Sequence, residues 1–436
     1  MSPSRRHVLG LLPAAAVAAA LPSTAAAATG PTGPPATGRR GAGGSLAIRD
    51  VRIFDGRRVL PGRHSILVLA GRIVATGKFS VPSGVAVHDG RGRTLLPGLI
   101  DSHVHTFDGS RTDALRFGVT TELEMFGSPA GLIESRRRRR SLRPTTCSDL
   151  WSAGNGVTVP GGHPLGTDWE FPRVEPGTDL DAYVRDRLAE GSDFVKLVYE
   201  PGNPPERPLP TLTAAQVRAI IAATHRRGRI AVAHVEKLRL FVDTVRFGAD
   251  GIVHAPYDAV ATAGDVRAVR SSGAFVVPTL SVVDWGAGAK SLLADQRVTK
   301  WLSGTQRYLL EQEPPERPGR PDYLGNASAT VGRLHAAGVP ILAGTDAPVR
   351  ANVSGPSLFT ELEHLVRAGL SPTAALTAAT AGPADHFRLG DRGRIAPGRR
   401  ADLLLVDGNP AQDITALRAL HSIWKNGHPV DRTPVD

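Results

Sequence analysis

The chain has 436 residues, 41% of them hydrophobic and 21% charged, a balance that excludes a largely disordered or fibrous protein. Its formal charge is +11 and Cys147 is its one cysteine, which excludes an internal disulfide framework and a thiolate metal cluster. The basic residues are spread along the chain, and the run Arg136–Arg140 reads as a solvated helix face, so no nucleic acid is expected as a partner.

In chain order, residues 1–28 come first. Ser4-Arg5-Arg6-His7-Val8-Leu9, the Ala-rich apolar stretch Val8–Leu21 and the small residues Ser23–Ala28 resemble a twin-arginine signal peptide. Its removal leaves 50 basic against 41 acidic residues, +9. The implied partner is the twin-arginine export machinery, and the implied location is periplasmic or extracellular. The stretch is too short for a stable membrane span, and no later stretch is long enough. Residues 29–44, rich in Gly, Pro and Thr, read as a disordered linker.

Residues 45–96 alternate short apolar runs with Gly and Pro, giving strands at Leu46–Phe54, Ser65–Leu69 and Arg72–Thr76. Residues 396–436 contain two more, at Ala401–Asp407 and Ile423–Lys425. The two ends are expected to pair into one small composite β-sandwich around a separate unit, residues 97–395.

In that middle unit a helical run repeatedly ends in Gly, and a short apolar strand follows, at Gly118, Gly191, Gly228, Gly248, Gly273 and Gly338. With Leu99–His105 and Asp149–Ser152 this makes eight strands. Alternating helix and strand predicts an α/β parallel architecture, and eight strands predict a closed (β/α)8 TIM barrel. An open doubly wound sheet competes, but no Gly-rich nucleotide loop follows the first strand.

Barrel active sites lie at the C-terminal ends of the strands. His103 and His105 end strand 1, and their i, i+2 spacing points both imidazoles to one face. Lys196 lies near the end of strand 4 between Val195 and Leu197, where an unpaired lysine is out of place. His234 ends strand 5, His254 strand 6 and Asp346 strand 8. Any one of these could be structural, and Asp346 could merely cap a helix. Together, four His and one Asp on one rim suit a zinc-type site of N and O ligands.

Leu96-Pro-Gly-Leu-Ile-Asp-Ser-His-Val-His105, Gly344-Thr-Asp346 and Gly393–Asp407 resemble signatures of the amidohydrolase superfamily. Asp193-Phe-Val-Lys196, Ala233-His234 and His254 resemble its imidazolonepropionase-like group, which includes Xaa-Pro and Xaa-Arg dipeptidases. The resemblance spans about residues 45–430. It implies that His103, His105 and Asp346 hold one Zn2+, and that His234 and His254 hold a second. A carboxylated Lys196 bridges the two ions, and Asp346 acts as general acid and base. It implies hydrolysis of a C–N amide bond, in a dipeptide or N-acyl amino acid, by metal-activated hydroxide. A mononuclear site acting on a cyclic amide or lactone, with Lys196 unmodified, is the alternative. His163 after strand 3 and Tyr199 are candidate substrate-binding residues; Tyr199 needs a bend in the chain to reach the mouth. Pro256-Tyr257 and Arg350 are weaker candidates, and His225 and His335 read as structural. The expected partner is a small-molecule substrate, and a homo-oligomer is compatible with the sequence. A metal-containing binding protein without activity is the reading from another class; the full ligand set with Asp346 speaks against it.

Overall fold

A computed structural model describes residues 43–165, 169–203, 207–313 and 322–434. The export signal expected over 1–28, and all but the last two residues of the linker expected over 29–44, lie outside the described residues. No helix among the described residues is long and apolar enough to cross a membrane.

The two ends of the chain pair. Strands β1 (Leu46–Ile53), β2 (His64–Leu69), β3 (Arg72–Thr76), β4 (Ala86–Asp89) and β5 (Arg93–Pro97) join three late strands. These are β15 (Leu403–Asp407), β16 (Leu420–Lys425) and β17 (His428–Pro429). The order is β17-β16-β15-β5-β1-β2-β3, with β4 also on β1. Leu95 of β5 lies opposite Leu405 of β15. Residues Leu46–Arg49 of β1 pair with β4, whereas Arg52 and Ile53 pair with β5. A register shift between Ile48 and Val51 lets one strand serve both halves. Ile48, Ile66, Ile73, Leu95, Leu405 and Trp424 form the core between them.

The middle unit is the expected parallel barrel. Its strands are β6 (Leu99–Val104), β7 (Val119–Glu124), β8 (Asp149–Ser152), β9 (Val195–Val198), β12 (Ala231–His234), β13 (Gly251–Val253) and β14 (Phe275–Val277). A short hairpin, β10 (Gly202–Asn203) and β11 (Arg207–Pro208), follows β9. Two sheets, β6-β7-β8 and β9-β12-β13-β14, are closed by extended segments. Val157 bridges to Leu197, and Ile341 and Ala347 bridge to Val276 and Val104. The eighth expected strand is therefore an irregular segment tied at single bridges. Pro340 has no N–H to offer a ladder, and Asp346 takes φ 61°, which ends extended pairing. Ile100, Leu123, Phe194, Val232, Val253 and Phe275 fill the interior.

The helices follow from pattern and caps. Ala214–Arg226 starts at a capping box between Thr213 and Gln216. It buries Val217, Ile220, Ile221 and Thr224, one face at helical spacing. It ends before Gly228, which takes φ 65°, a conformation that costs glycine little.

Arg136–Arg140 corrects its expectation of a solvated face. Arg139 pairs with Asp193 at 2.6 Å and lies 4.1 Å over the Trp151 ring, and Arg136 also reaches Asp193. Arg137 and Arg138 do face solvent, beside Glu134. The inward pair was invisible because Asp193 lies more than 50 residues away in the chain.

Lys425 fastens sandwich to barrel. Its Nζ is 2.6 Å from Asp149 at the start of β8 and 2.7 Å from Asp402, and the side chain is 1% exposed. Lys425→Ala leaves two buried carboxylates without this partner, a change that costs about 3–5 kcal/mol. The expected result is a lower denaturant midpoint with unchanged slope; a shift below about 1 kcal/mol would show the network to be dispensable.

Candidate metal centre

His103 is placed by irregularity in β6. The pairing of β6 with β7 shifts register between Asp101 and Val104. Asp101 is buried and accepts from the His103 N–H at 3.2 Å, the Thr345 N–H at 3.0 Å and the Thr345 hydroxyl at 2.7 Å. One carboxylate thus ties the end of strand 1 to the Gly344-Thr345-Asp346 segment. A side chain at Gly344 would lie 2.8 Å from the His103 nitrogen, so this close approach requires glycine.

The result is convergence. Asp346 Oδ1 lies 3.0 Å from Nε2 of His103 and 3.0 Å from Nε2 of His105. His105 places its Nδ1 3.0 Å from the Phe126 carbonyl. Donating there fixes the tautomer that leaves the Nε2 lone pair facing the cluster. His103 Nδ1 is buried without a hydrogen-bond partner, and its Nε2 has the Asp346 oxygen beside it but no well-directed hydrogen bond. Burial pushes the His103 imidazole down to about 3, so it is neutral. Burial would raise the Asp346 carboxyl, but the adjoining imidazoles, His103 first, hold it well below its usual range. Buried imidazole nitrogens converging on one carboxylate oxygen are the donor set of a divalent cation. Zinc takes such atoms at about 2.0–2.2 Å, which sets neighbouring ligands about 3 Å apart. The residues present fit the ion.

A second group adjoins the first. His234 ends β12 and His254 follows β13; their ring centroids are 4.4 Å apart, and His254 is 4.9 Å from His103. Burial holds both imidazoles well below their usual value. His254 Nδ1 lies 2.8 Å from Thr279 Oγ1, which leaves its Nε2 for the cluster. His254, Thr279 and Asp346 take φ of 73°, 51° and 61°, left-handed values that cost β-carbon residues energy and collect at functional sites.

Lys196 lies opposite Val232 across β9 and β12. Period-2 alternation therefore puts its side chain on the inner face with Val232 and His234. It is 3% exposed. Burial pushes its ammonium down to about 7, against the opposing influence of Asp346. His103, His105, His234 and His254 all lie within its electrostatic reach. All six ligand candidates thus meet at one barrel mouth.

Glu236 was not singled out from sequence. With His234 and His254 it forms a second group whose ligand atoms lie within 4.8 Å of one another. It accepts a hydrogen bond from the Tyr257 hydroxyl. The available signal was its position two residues past His234, the same spacing as His103 to His105.

The substrate candidates divide. The His163 ring stacks on His234 at 4.5 Å, with 25° between planes, so it borders the second group. Tyr199 is a correction. It packs against the core beneath the outer helices, and Asp243, Arg239 and Arg218 of those helices are the charges that face it. Strand alternation carries it outward, and the bend it needed is absent. His225 pairs with Asp250 at 2.7 Å, away from the mouth.

A family model described as "Amidohydrolase family" matches residues 180–431. An imidazolonepropionase of Deinococcus deserti is 26% identical over 400 residues, covering 83% of this chain and 91% of its own length. Among solved structures, a Xaa-Pro dipeptidase with bound methionine is similar at TM-score 0.69 and 22% identity. That likeness covers 89% of this chain and 100% of the dipeptidase. A molinate hydrolase is similar at TM-score 0.70 and 20% identity, over 89% and 95% of the two chains. At these identities the solved structures establish the fold.

Proposed function

The chain belongs to the amidohydrolase family and is a hydrolase of C–N bonds; from that premise we propose that it cleaves the amide bond of a dipeptide or N-acyl amino acid at a two-zinc centre. His103, His105 and Asp346 would hold one ion. His234 and His254 would hold the other, and carboxylated Lys196 would bridge them. The observation that carries the reading is the convergence of His103 and His105 on one oxygen of Asp346, with the His234–His254 pair adjoining. When bound, the ions supply Lewis acidity and a water of lowered pKa.

The chain's own groups do the rest. The Asp346 carboxylate, held ionised, takes a proton from the attacking water and returns it to the leaving nitrogen. His105 and Asp101 position that carboxylate: His105 through Asp346 Oδ1, and Asp101 through Thr345. His163 would donate a hydrogen bond to the substrate carbonyl, a role that its stacking on His234 supports. Lys196 is buried and drawn toward the neutral amine, the form that adds to CO2, forming an N–C bond and releasing one proton.

The likeness to imidazolonepropionase over most of both chains favours a second reading. In it, one ion and an unmodified Lys196 open a cyclic amide. A screen of dipeptides, N-acyl amino acids, cyclic amides and lactones with zinc-reconstituted protein separates the two. Turnover of linear amides is expected. Turnover confined to cyclic amides or lactones would replace the first reading with the second.

A further inference from the structure

A second cavity lies away from the histidines. It holds about 360 Å³, and five arginines line it: Arg72, Arg139, Arg140, Arg392 and Arg400, with Trp151 and one carboxylate, Asp391. A smaller cavity of about 170 Å³ shares Arg139 and Trp151 with it. That neighbour is walled by Asp193 and Gly228–Ile230, which precede β9 and β12. The pair therefore sits at the N-terminal ends of the barrel strands, where the sandwich meets the barrel.

The floor is held rigidly. Arg392 is hydrogen-bonded to Asp149 at 2.5 Å and Asp391 at 2.9 Å, and lies 4.5 Å over the Trp151 ring. Arg400 is bonded to Asp391 at 3.1 Å, Asn426 at 2.6 Å and the Ser141 carbonyl at 2.7 Å. Both direct Nη2 to the Arg139 carbonyl. Asp391 is thus flanked by two guanidinium groups. The rim differs: Arg72 and Arg140 are exposed. Arg72 donates to the Gly398 carbonyl, and neither it nor Arg140 pairs with a carboxylate among the described residues.

The charges do not balance. The five arginines with Lys425 face Asp149, Asp193, Asp391 and Asp402, which leaves two positive charges over. Rigid guanidinium forks match the paired oxygens of phosphate and carboxylate. We propose that this cavity binds a multivalent oxyanion, such as a diphosphate or polycarboxylate, with Arg72 and Arg140 closing on it from the rim. Part of the Arg136–Arg140 run then serves a binding site.

The test is calorimetric titration of the metal-loaded protein with pyrophosphate and, separately, with citrate. The double variant Arg72→Ala/Arg140→Ala is titrated beside it. Both proteins keep the same metal centre, so binding there is common to both. One anion per chain is expected, with affinity that falls as salt is added. The double variant should bind about tenfold more weakly or worse, with hydrolase activity unchanged. The anion that binds more tightly identifies the ligand class. Equal affinity in both proteins, or no binding by the parent at millimolar anion, would overturn the proposal.

Discussion

Asp346→Asn is expected to lower kcat by about 10³-fold, within the 10²–10⁴ range of positioned acid–base catalysis, while the protein still binds zinc. The amide is isosteric and keeps an oxygen where His103 and His105 converge, so a ligand atom survives. It cannot accept the proton of the attacking water or return one to the leaving nitrogen. His103 and His105 cannot substitute, because their Nε2 atoms face the same point and are committed to it. Steady-state kinetics with zinc quantified in the same sample checks this. Activity within tenfold of the parent at full metal content would remove Asp346 from the proton-transfer role.

Lys196→Ala is expected to cost about 10² in kcat or more, since the stabilisation at stake is several kcal/mol at about 1.4 kcal/mol per decade. The side chain is 3% exposed on the inner face of an apolar strand. A lysine buried there without a function is a net loss in desolvation. As a carbamate it brings an anion and two oxygens between the ion sites; as alanine it brings neither. Bound zinc should fall from about two ions per chain to about one. The carbamate carbon signal of protein prepared in ¹³C-bicarbonate should vanish. If the variant keeps both ions and most of its activity, Glu236 is the carboxylate that completes the second site.

The parts of this site that were legible in sequence are those that break a local rule. Lys196 interrupts an apolar strand, His103 and His105 repeat at strand period, and Gly344-Thr345-Asp346 follows an apolar run. The barrel was legible because helix-ending glycines recur before apolar strands. What escaped depends on distant partners. Asp101 reads as one polar residue in a strand, and its tie to Thr345 spans 244 residues. Glu236 reads as a polar residue before a helix, and only folding brings it beside His234 and His254. Tyr199 was overreached: alternation alone pointed it outward, and the structure keeps it there. The eighth strand was drawn too regular, because an apolar run does not reveal that Pro340 and Asp346 limit its pairing.

The account stands on buried imidazole nitrogens and an ionised carboxylate that share one point. Its most direct test is elemental analysis of the purified chain after reconstitution with zinc and bicarbonate. About two zinc ions per chain are expected. A folded chain that retains no transition metal after that treatment would contradict it.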